Sequence, residues 1–474
     1  MNKPESFLTL GLTEIAEKIR GNELTSEDLV IALLERIDTV DLEINSYITV
    51  NKKEAIETAR ERTKELKGGV YRGVLHGVPI GLKDIISTEG LKTTCGSQIY
   101  ENHIPKKDAE IVSRLKEAGA IIIGKHNTHQ FAYGPTGDRS FAGAVRNPHD
   151  QKKISGGSSS GSAAAVASNL CFGAIGTDTG GSIRVPSSFC GVVGMKPTFG
   201  RVSKKGIYPV SWTLDHAGPI TKNVKDNATL LNVISGYDFQ DPDAVYSKVE
   251  DFTRFIGKEI RGKTIGIPKE FFYEDLNKEV EKSLITAIRN FKEMGVEVVE
   301  INIPSIEAIS AAHKIILSSE AYAVHEKNLE KYPDMWDEEV KKRLLTGLQP
   351  TGIEFARALR VQKLAKQEFN EALEKVDILV TPTVPILPPN INERYLSDKR
   401  DDENHIRWKI VKLATPTDLN GFPSLTLPCG FSESGLPIGV QLIGKEFEEA
   451  KIYQFGYALE QKLQLKSMTK EVNY

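Results

Sequence analysis

Residues 108–123 read Asp108-Ala109-Glu110-Ile111-Val112-Ser113-Arg114-Leu115-Lys116-Glu117-Ala118-Gly119-Ala120-Ile121-Ile122-Ile123. Ile111, Val112 and Leu115 fall on one face at helical spacing, and Asp108 stands where an N-cap belongs. Gly119 supplies the stop, because glycine accepts the left-handed conformation that ends a helix. The unbroken apolar run that follows reads as a buried strand. A helix feeding an apolar strand through a glycine turn is the half-unit of an α/β fold.

The same grammar recurs. Thr264-Ile265-Gly266-Ile267 reads as a strand, a helix runs to Met294, Gly295 caps it, and 296–303 forms another strand. Toward the N-terminus, Thr25-Ser26-Glu27-Asp28 offers a cap and an acidic first turn, with Leu29, Leu33, Leu34 and Ile37 behind it. Residues 55–66 read as a charged surface helix. Long helices are expected over 318–331 and 337–374. Strands are expected at 377–381, 424–427 and 438–443, the last two joined by a hairpin loop at 430–437. A final helix covers 446–463. These divide into an N-terminal helical segment (1–66), a glycine- and serine-rich core (67–235), a helix-rich insertion (236–375) and C-terminal strands with a helix (376–474). No repeat or linker separates them, so one large α/β domain is expected.

Composition excludes several function classes. The chain has 474 residues, 61 Lys+Arg against 64 Asp+Glu, and a formal net charge of −3. Nothing there draws the chain to nucleic acid or an anionic membrane. No apolar run reaches the ~18 residues of a membrane span, and the N-terminus does not read as a signal peptide. The cytoplasm is the expected location. Four cysteines without a CxxC make neither a disulfide framework nor a zinc site. The 39 glycines are unevenly spread, and they lead to the chemistry.

The densest small-residue stretch is Ser155-Gly156-Gly157-Ser158-Ser159-Ser160-Gly161-Ser162-Ala163-Ala164-Ala165-Val166-Ala167. Such a composition also suits a flexible linker. This one runs into an Ala-rich helix start, where tiny residues let backbone pass close to something. It is no P-loop, since no lysine follows Gly161 at the required spacing. Gly157 to Gly161 matches G-x-S-x-G, but the polar residues 147–153 before it cannot form the buried strand a nucleophile elbow requires.

A second cluster reads Thr177-Asp178-Thr179-Gly180-Gly181-Ser182-Ile183-Arg184-Val185-Pro186. Two glycines before a serine can turn consecutive N–H groups toward one point beside the Ser182 hydroxyl, or can form an ordinary tight turn. A third feature is Lys83 within Val78-Pro79-Ile80-Gly81-Leu82-Lys83-Asp84-Ile85-Ile86. It either keeps its head in water, pairs with Asp84, or is buried. A buried lysine loses its proton readily and serves as a base. His126 and His129 lie three apart, with no helix pattern or acidic partner to make a metal site. Cys190 lies near Ser182 without a histidine to activate it.

A lysine in an apolar run, a GGSSSGSA segment and a DTGGSIR segment, in that order, resemble the amidase signature family. Residues 73–79, 124–134, 146–148, 191–198, 376–383 and 421–423 are similar to further landmarks of that family, so the resemblance spans most of 70–445. It implies a mixed central β-sheet sandwiched between α-helices, with the N-terminal helices outside. It implies a Ser–cisSer–Lys triad in which Ser182 forms the acyl-enzyme, Ser158 bridges on a cis peptide bond and Lys83 is the base. It implies an oxyanion hole from the backbone N–H groups of Thr179, Gly180, Gly181 and Ser182, with no metal and no cofactor. The implied reaction is hydrolysis of a linear amide to a carboxylate and ammonia or an amine. A serine hydroxyl is a weak nucleophile without an adjacent base, which the lysine supplies.

Within that family the chain resembles the glutamine-hydrolysing A subunit of tRNA-dependent amidotransferases over the signature core, and departs from it further on. Ser319-Glu320 is followed by Ala321-Tyr322-Ala323-Val324, where those proteins carry an arginine-phenylalanine-aspartate-glycine stretch. The aspartate they use for the glutamine α-amino group matches Val411 here. Arg343 is compatible with a carboxylate-binding arginine and equally with a surface residue. The departures favour a stand-alone amidase whose substrate-binding residues are unknown. The alternative is a glutamine-hydrolysing subunit supplying ammonia to a partner. The expected partner is a small-molecule amide. A homodimer is open, and amidotransferase subunits enter only under the alternative.

Overall fold

The computed structural model describes residues 4–248, 250–396, 399–401 and 404–465. The stretch 108–123 folds as a helix over Glu110–Glu117 that leads into a strand over Ile121–His126. Gly119 takes φ +87°, and a Cβ there would stand 2.9 Å from the His76 backbone. The cap differs from expectation. Ala109 occupies the N-cap, and Asp108 instead accepts from the Glu89 N–H at 2.7 Å and pairs with Lys116. Thr25 does cap its helix, accepting from Asp28 N–H at 3.0 Å.

Eleven strands form one sheet: β1 (Tyr47–Val50), β2 (Pro79–Lys83), β3 (Ile121–His126), β4 (Gly173–Asp178), β5 (Val193–Lys196), β6 (His216–Thr221), β7 (Thr264–Pro268), β8 (Glu297–Ile301), β9 (Ile378–Pro382), β10 (Ser424–Phe431) and β11 (Pro437–Ile443). Their order is β1-β3-β2-β4-β6-β5-β10-β11-β9-β7-β8. β2 runs parallel to β3 and β4, whereas β6 and β5 are antiparallel to their neighbours, so the sheet is mixed. Every residue of β2, β3, β4, β5, β6, β9 and β11 is buried. Successive strand residues point to opposite faces, so this pattern requires cover on both sides. The expected α/β sandwich of one mixed sheet between helices is the observed fold.

Two helical readings need correction. The helix expected at 318–331 begins at Ile306 and ends at Lys331, because no glycine or proline interrupts 306–317. The single helix expected over 337–374 is broken into Glu338–Leu345 and Gly352–Leu373. Pro350 cannot continue a helix. Thr351 starts the second helix with a capping box closed by Glu354. At the break, Gly347 packs so tightly that a Cβ would stand 2.2 Å from the Ser318 carbonyl oxygen.

The register positions the site. In the β2–β4 pair, Ile80 faces Gly173 and Leu82 faces Ile175. β2 therefore ends at Lys83 just short of the carboxyl end of β4, where the Lys83 side chain reaches the Thr177 hydroxyl. The crevice beyond the carboxyl ends of parallel strands is where α/β sheets hold ligands.

Candidate active site

Lys83 ends β2 and is wholly buried. Its Nζ lies 2.7 Å from Ser158 Oγ and 2.7 Å from Thr177 Oγ1. Asp84 is not its partner. That carboxylate turns the other way, to the Thr94 N–H at 3.0 Å, the Thr94 hydroxyl, and Lys125 at 4.0 Å. Burial lowers the Lys83 pKa to about 7, against the opposing pull of Asp178 and Asp215. A substantial neutral fraction at neutral pH leaves a lone pair to accept a proton.

Ser158 follows a cis peptide bond from Gly157. The glycine-serine segment is no linker: residues 155–166 are buried, and a helix begins at Ser160. A Cβ on Gly157 would stand 2.8 Å from the Gly137 nitrogen and 2.9 Å from the Gly134 oxygen, so only glycine fits. The Ser159 N–H donates to the Ser182 carbonyl at 3.1 Å. This bond ties the two small-residue clusters together.

The second cluster leaves β4 as a tight loop organised by Asp178. That carboxylate accepts from the N–H groups of Gly181 (2.5 Å), Ile183 (3.1 Å) and Arg184 (3.3 Å), and from Arg184 Nε at 2.9 Å. Gly181 sits at φ +112°. Of the four N–H groups expected to face an oxyanion, that of Gly181 is committed to Asp178. The N–H groups of Thr179, Gly180 and Ser182 have no hydrogen-bond partner among the described residues. Arg184, also fully buried, reaches Asp418 at 2.8 Å, Thr417 Oγ1 at 2.6 Å and Gln441 Oε1 at 2.7 Å. Two carboxylates thus share one guanidinium, and their pKa values separate. Arg184 and the backbone donors hold Asp178 far below the carboxylate range. Burial, with Asp178 close by, pushes Asp418 up.

Ser182 lines an open cleft with Gly180, Tyr133, Arg343, Trp408 and Val411. The cleft has about 110 Å³ of free space, several times the ~30 Å³ share of a water molecule. Arg343 is no surface residue. It is 8% exposed, donating from Nη1 to the Tyr133 carbonyl at 2.5 Å and from Nη2 to Glu339 at 2.8 Å. Its Nε has no partner among the described residues. Lys314 and Arg407 add positive charge to the lining, which holds no carboxylate among the described residues. Such a cleft suits an amide whose acyl part carries a carboxylate.

The two histidines part company. His126 packs edge-on against Tyr47 with Nδ1 3.3 Å from Ser162 Oγ, while His129 Nδ1 accepts from the Gly137 N–H at 3.3 Å. Among the described residues no cluster of three metal-ligating side chains forms. The four cysteines are free and buried, and burial pushes the Cys190 thiol up, away from nucleophilic chemistry. Sequence reasoning missed Thr177 as a Lys83 partner and Asp178 with Arg184 as the loop's organiser. All three stand in or beside the DTGGSIR stretch, and an acid and an arginine bracketing Gly180-Gly181-Ser182 were the available signal. Arg407 and Trp408 carried no local signal.

A family model described as Amidase matches residues 28–453. The A subunit of the glutamyl-tRNA(Gln) amidotransferase of Thermodesulfovibrio yellowstonii is 40% identical over 479 residues, covering 95% of this chain and 97% of that one. Among solved structures, the corresponding A subunit of Thermotoga maritima superposes with a TM-score of 0.81 at 33% identity, over 96% of this chain and 95% of that one. A structure described as a vestigial protein complex revealing the origins of an s-triazine catabolic enzyme gives a TM-score of 0.90 at 31% identity, over 95% and 98%. Among the described residues no helix is long and apolar enough to cross a membrane.

Proposed function

The chain belongs to the amidase signature family and is a hydrolase of amide C–N bonds, and from that premise we propose that it works as the glutamine-hydrolysing A subunit of an amidotransferase, releasing ammonia for partner subunits in the cytoplasm. The departures at 321–324 and Val411 favour a stand-alone enzyme. The relatives side with the alternative: the amidotransferase A subunit of Thermodesulfovibrio yellowstonii is 40% identical over 95% of this chain. The observation that carries the reading is Arg343, buried in the wall of the cleft that Ser182 also lines, with an Nε that has no partner among the described residues and can donate to a substrate carboxylate.

The reaction proceeds by acylation and then deacylation of Ser182. Neutral Lys83 takes the Ser158 proton as Ser158 takes that of Ser182. Ser182 Oγ bonds to the amide carbon, and the carbonyl electron pair moves to oxygen, facing the free N–H groups. Collapse breaks the C–N bond, and the proton returns through Ser158 to the departing nitrogen, giving ammonia and the acyl-Ser182 ester. Water, deprotonated by the same relay, cleaves the ester to carboxylate and restores the serine. Each oxyanion donor contributes on the order of 10²–10³-fold.

A second reading is favoured by one observation: Val411 lines the cleft, and no described carboxylate there meets an α-ammonium. It is a stand-alone amidase of another carboxylate-bearing small amide. Ammonia release measured on the isolated protein, with and without the B and C subunits of an amidotransferase, separates the two. Glutamine turnover that rises on adding the partners supports the first. Turnover of succinamate-like amides alone, with glutamine inert in both settings, overturns it in favour of the second.

A further inference from the structure

The loop before Ser182 gains its freedom from glycine, and that freedom has to be removed for a donor to point one way. Gly180 and Gly181 together permit the intervening peptides to flip at little cost. Three side-chain contacts anchor residues 179–181. The Thr179 hydroxyl donates to Asp215 at 2.6 Å, and the Gly181 N–H donates to Asp178. The third comes from a distant helix. His313, on Ile306–Lys331, is 3% exposed and its Nε2 lies 2.8 Å from the Thr179 carbonyl oxygen. A carbonyl only accepts, so Nε2 carries the hydrogen. The ring also packs close against the loop: a Cβ on Gly180 would stand 3.2 Å from His313 Cε1.

In a trans peptide the C=O and N–H bonds point in opposite directions. Holding the Thr179 oxygen from the helix side therefore aims the Gly180 N–H away from the helix, on the side free for a ligand. That N–H has no partner among the described residues. We propose that His313 is a positioning residue for the oxyanion hole: its bond to the Thr179 carbonyl fixes the Thr179–Gly180 peptide plane so that the Gly180 N–H faces the reacting carbonyl beside Ser182. The same bond polarises the peptide and strengthens its N–H as a donor. Arg184 and Asp178 are the charged groups that face the ring, and burial holds it neutral, with a pKa lowered to about 4. The inference rests on the proposed role of Ser182.

The test uses the rate at which a fluorophosphonate phosphonylates Ser182, because its P–O oxygen occupies the oxyanion position whatever the natural substrate. His313→Phe keeps the ring and removes the donor. His313→Gln restores an N–H donor. The expected result is a fall of about 10–100-fold for His313→Phe, recovery to within about fivefold for His313→Gln, and a matching loss of kcat with KM little changed. Labelling of His313→Phe at the wild-type rate overturns the proposal, as does an equal loss in both variants. If the phenylalanine variant does not fold, the wild-type imidazole ¹⁵N spectrum decides. A neutral ring protonated on Nε2 agrees, and the Nδ1–H tautomer overturns. A wild-type protein labelled at another residue removes the Ser182 premise, an outcome distinct from failure of the clamp.

Discussion

In the proposed mechanism, Lys83 is where pH acts. Its pKa is lowered to about 7 by burial, and only its neutral form accepts a proton. The sign follows: kcat/KM rises about tenfold per pH unit below that value and levels above it. A pH–rate profile with an acid optimum contradicts the base assignment. Ser182→Ala should lower kcat on the order of 10⁴–10⁶-fold without shifting the melting temperature, since the hydroxyl bonds to nothing among the described residues. Thr177→Val removes the second contact of Lys83 Nζ and leaves a buried amine short of one partner. Activity should fall about tenfold at the optimum, with the profile displaced, because the protonated form loses an acceptor that stabilises it. An unchanged profile would show that Thr177 contributes nothing to the lysine's ionisation. Because the proposed mechanism uses an amine and backbone dipoles, EDTA should leave turnover unaltered, and loss restored by zinc would contradict it.

At the scale of elements, the loop between β4 and the helix Arg184–Cys190 depends on charge buried beneath it. Arg184 binds Asp178 and Asp418, and all three are fully enclosed. Removing one member strands the others, so Arg184→Ala should cost about 3–5 kcal/mol in a denaturant melt. A change below about 1 kcal/mol would mean that the network is dispensable. Asp178 contributes with the sign of a depressed acid: the stability is present above the unfolded carboxylate pKa and is lost as pH falls below it. Gly181→Ala meets two obstacles, φ +112° and a Cβ placed 2.8 Å from that of Ala414. The expected cost is about 1–3 kcal/mol, with activity falling far more than stability as the serine shifts. Wild-type kinetics in this variant would show that the loop geometry tolerates a side chain. The glycine pair itself was legible, because adjacent glycines before a serine announce unusual backbone. That Gly181 spends its N–H on Asp178 was not legible, since only the folded loop sets which way a peptide faces.

Over the whole molecule, one sheet gathers strands from every part of the chain, and the site lies where segments distant in sequence converge. Lys83 is 75 positions from Ser158 and 94 from Thr177. Arg343 lines the cleft and His313 braces the Thr179 carbonyl beside it, both from helices in the 236–375 stretch, where the sequence offered Arg343 only as one of two equal readings and gave no sign of His313. If that stretch supplies the carboxylate anchor, Arg343→Met should raise KM for glutamine at least about tenfold with a smaller change in kcat. An equal effect on an uncharged amide would assign Arg343 a structural role instead. The sequence by itself determined what is local: strand and helix types from apolar periodicity, turns from glycine, the α/β class from their alternation, and two small-residue clusters where backbone can pass close. It misjudged the break at Pro350, and it could not separate a lysine paired with its neighbour from one buried against a serine far along the chain. Tertiary structure alone decided that Lys83 turns from Asp84 to Ser158, that Arg343 is buried at the cleft, and that His313 meets the Thr179 carbonyl. The reason is physical. Periodicity and turn chemistry arise from forces between near neighbours, whereas burial, pKa and hydrogen-bond direction are set by whatever the sheet brings alongside.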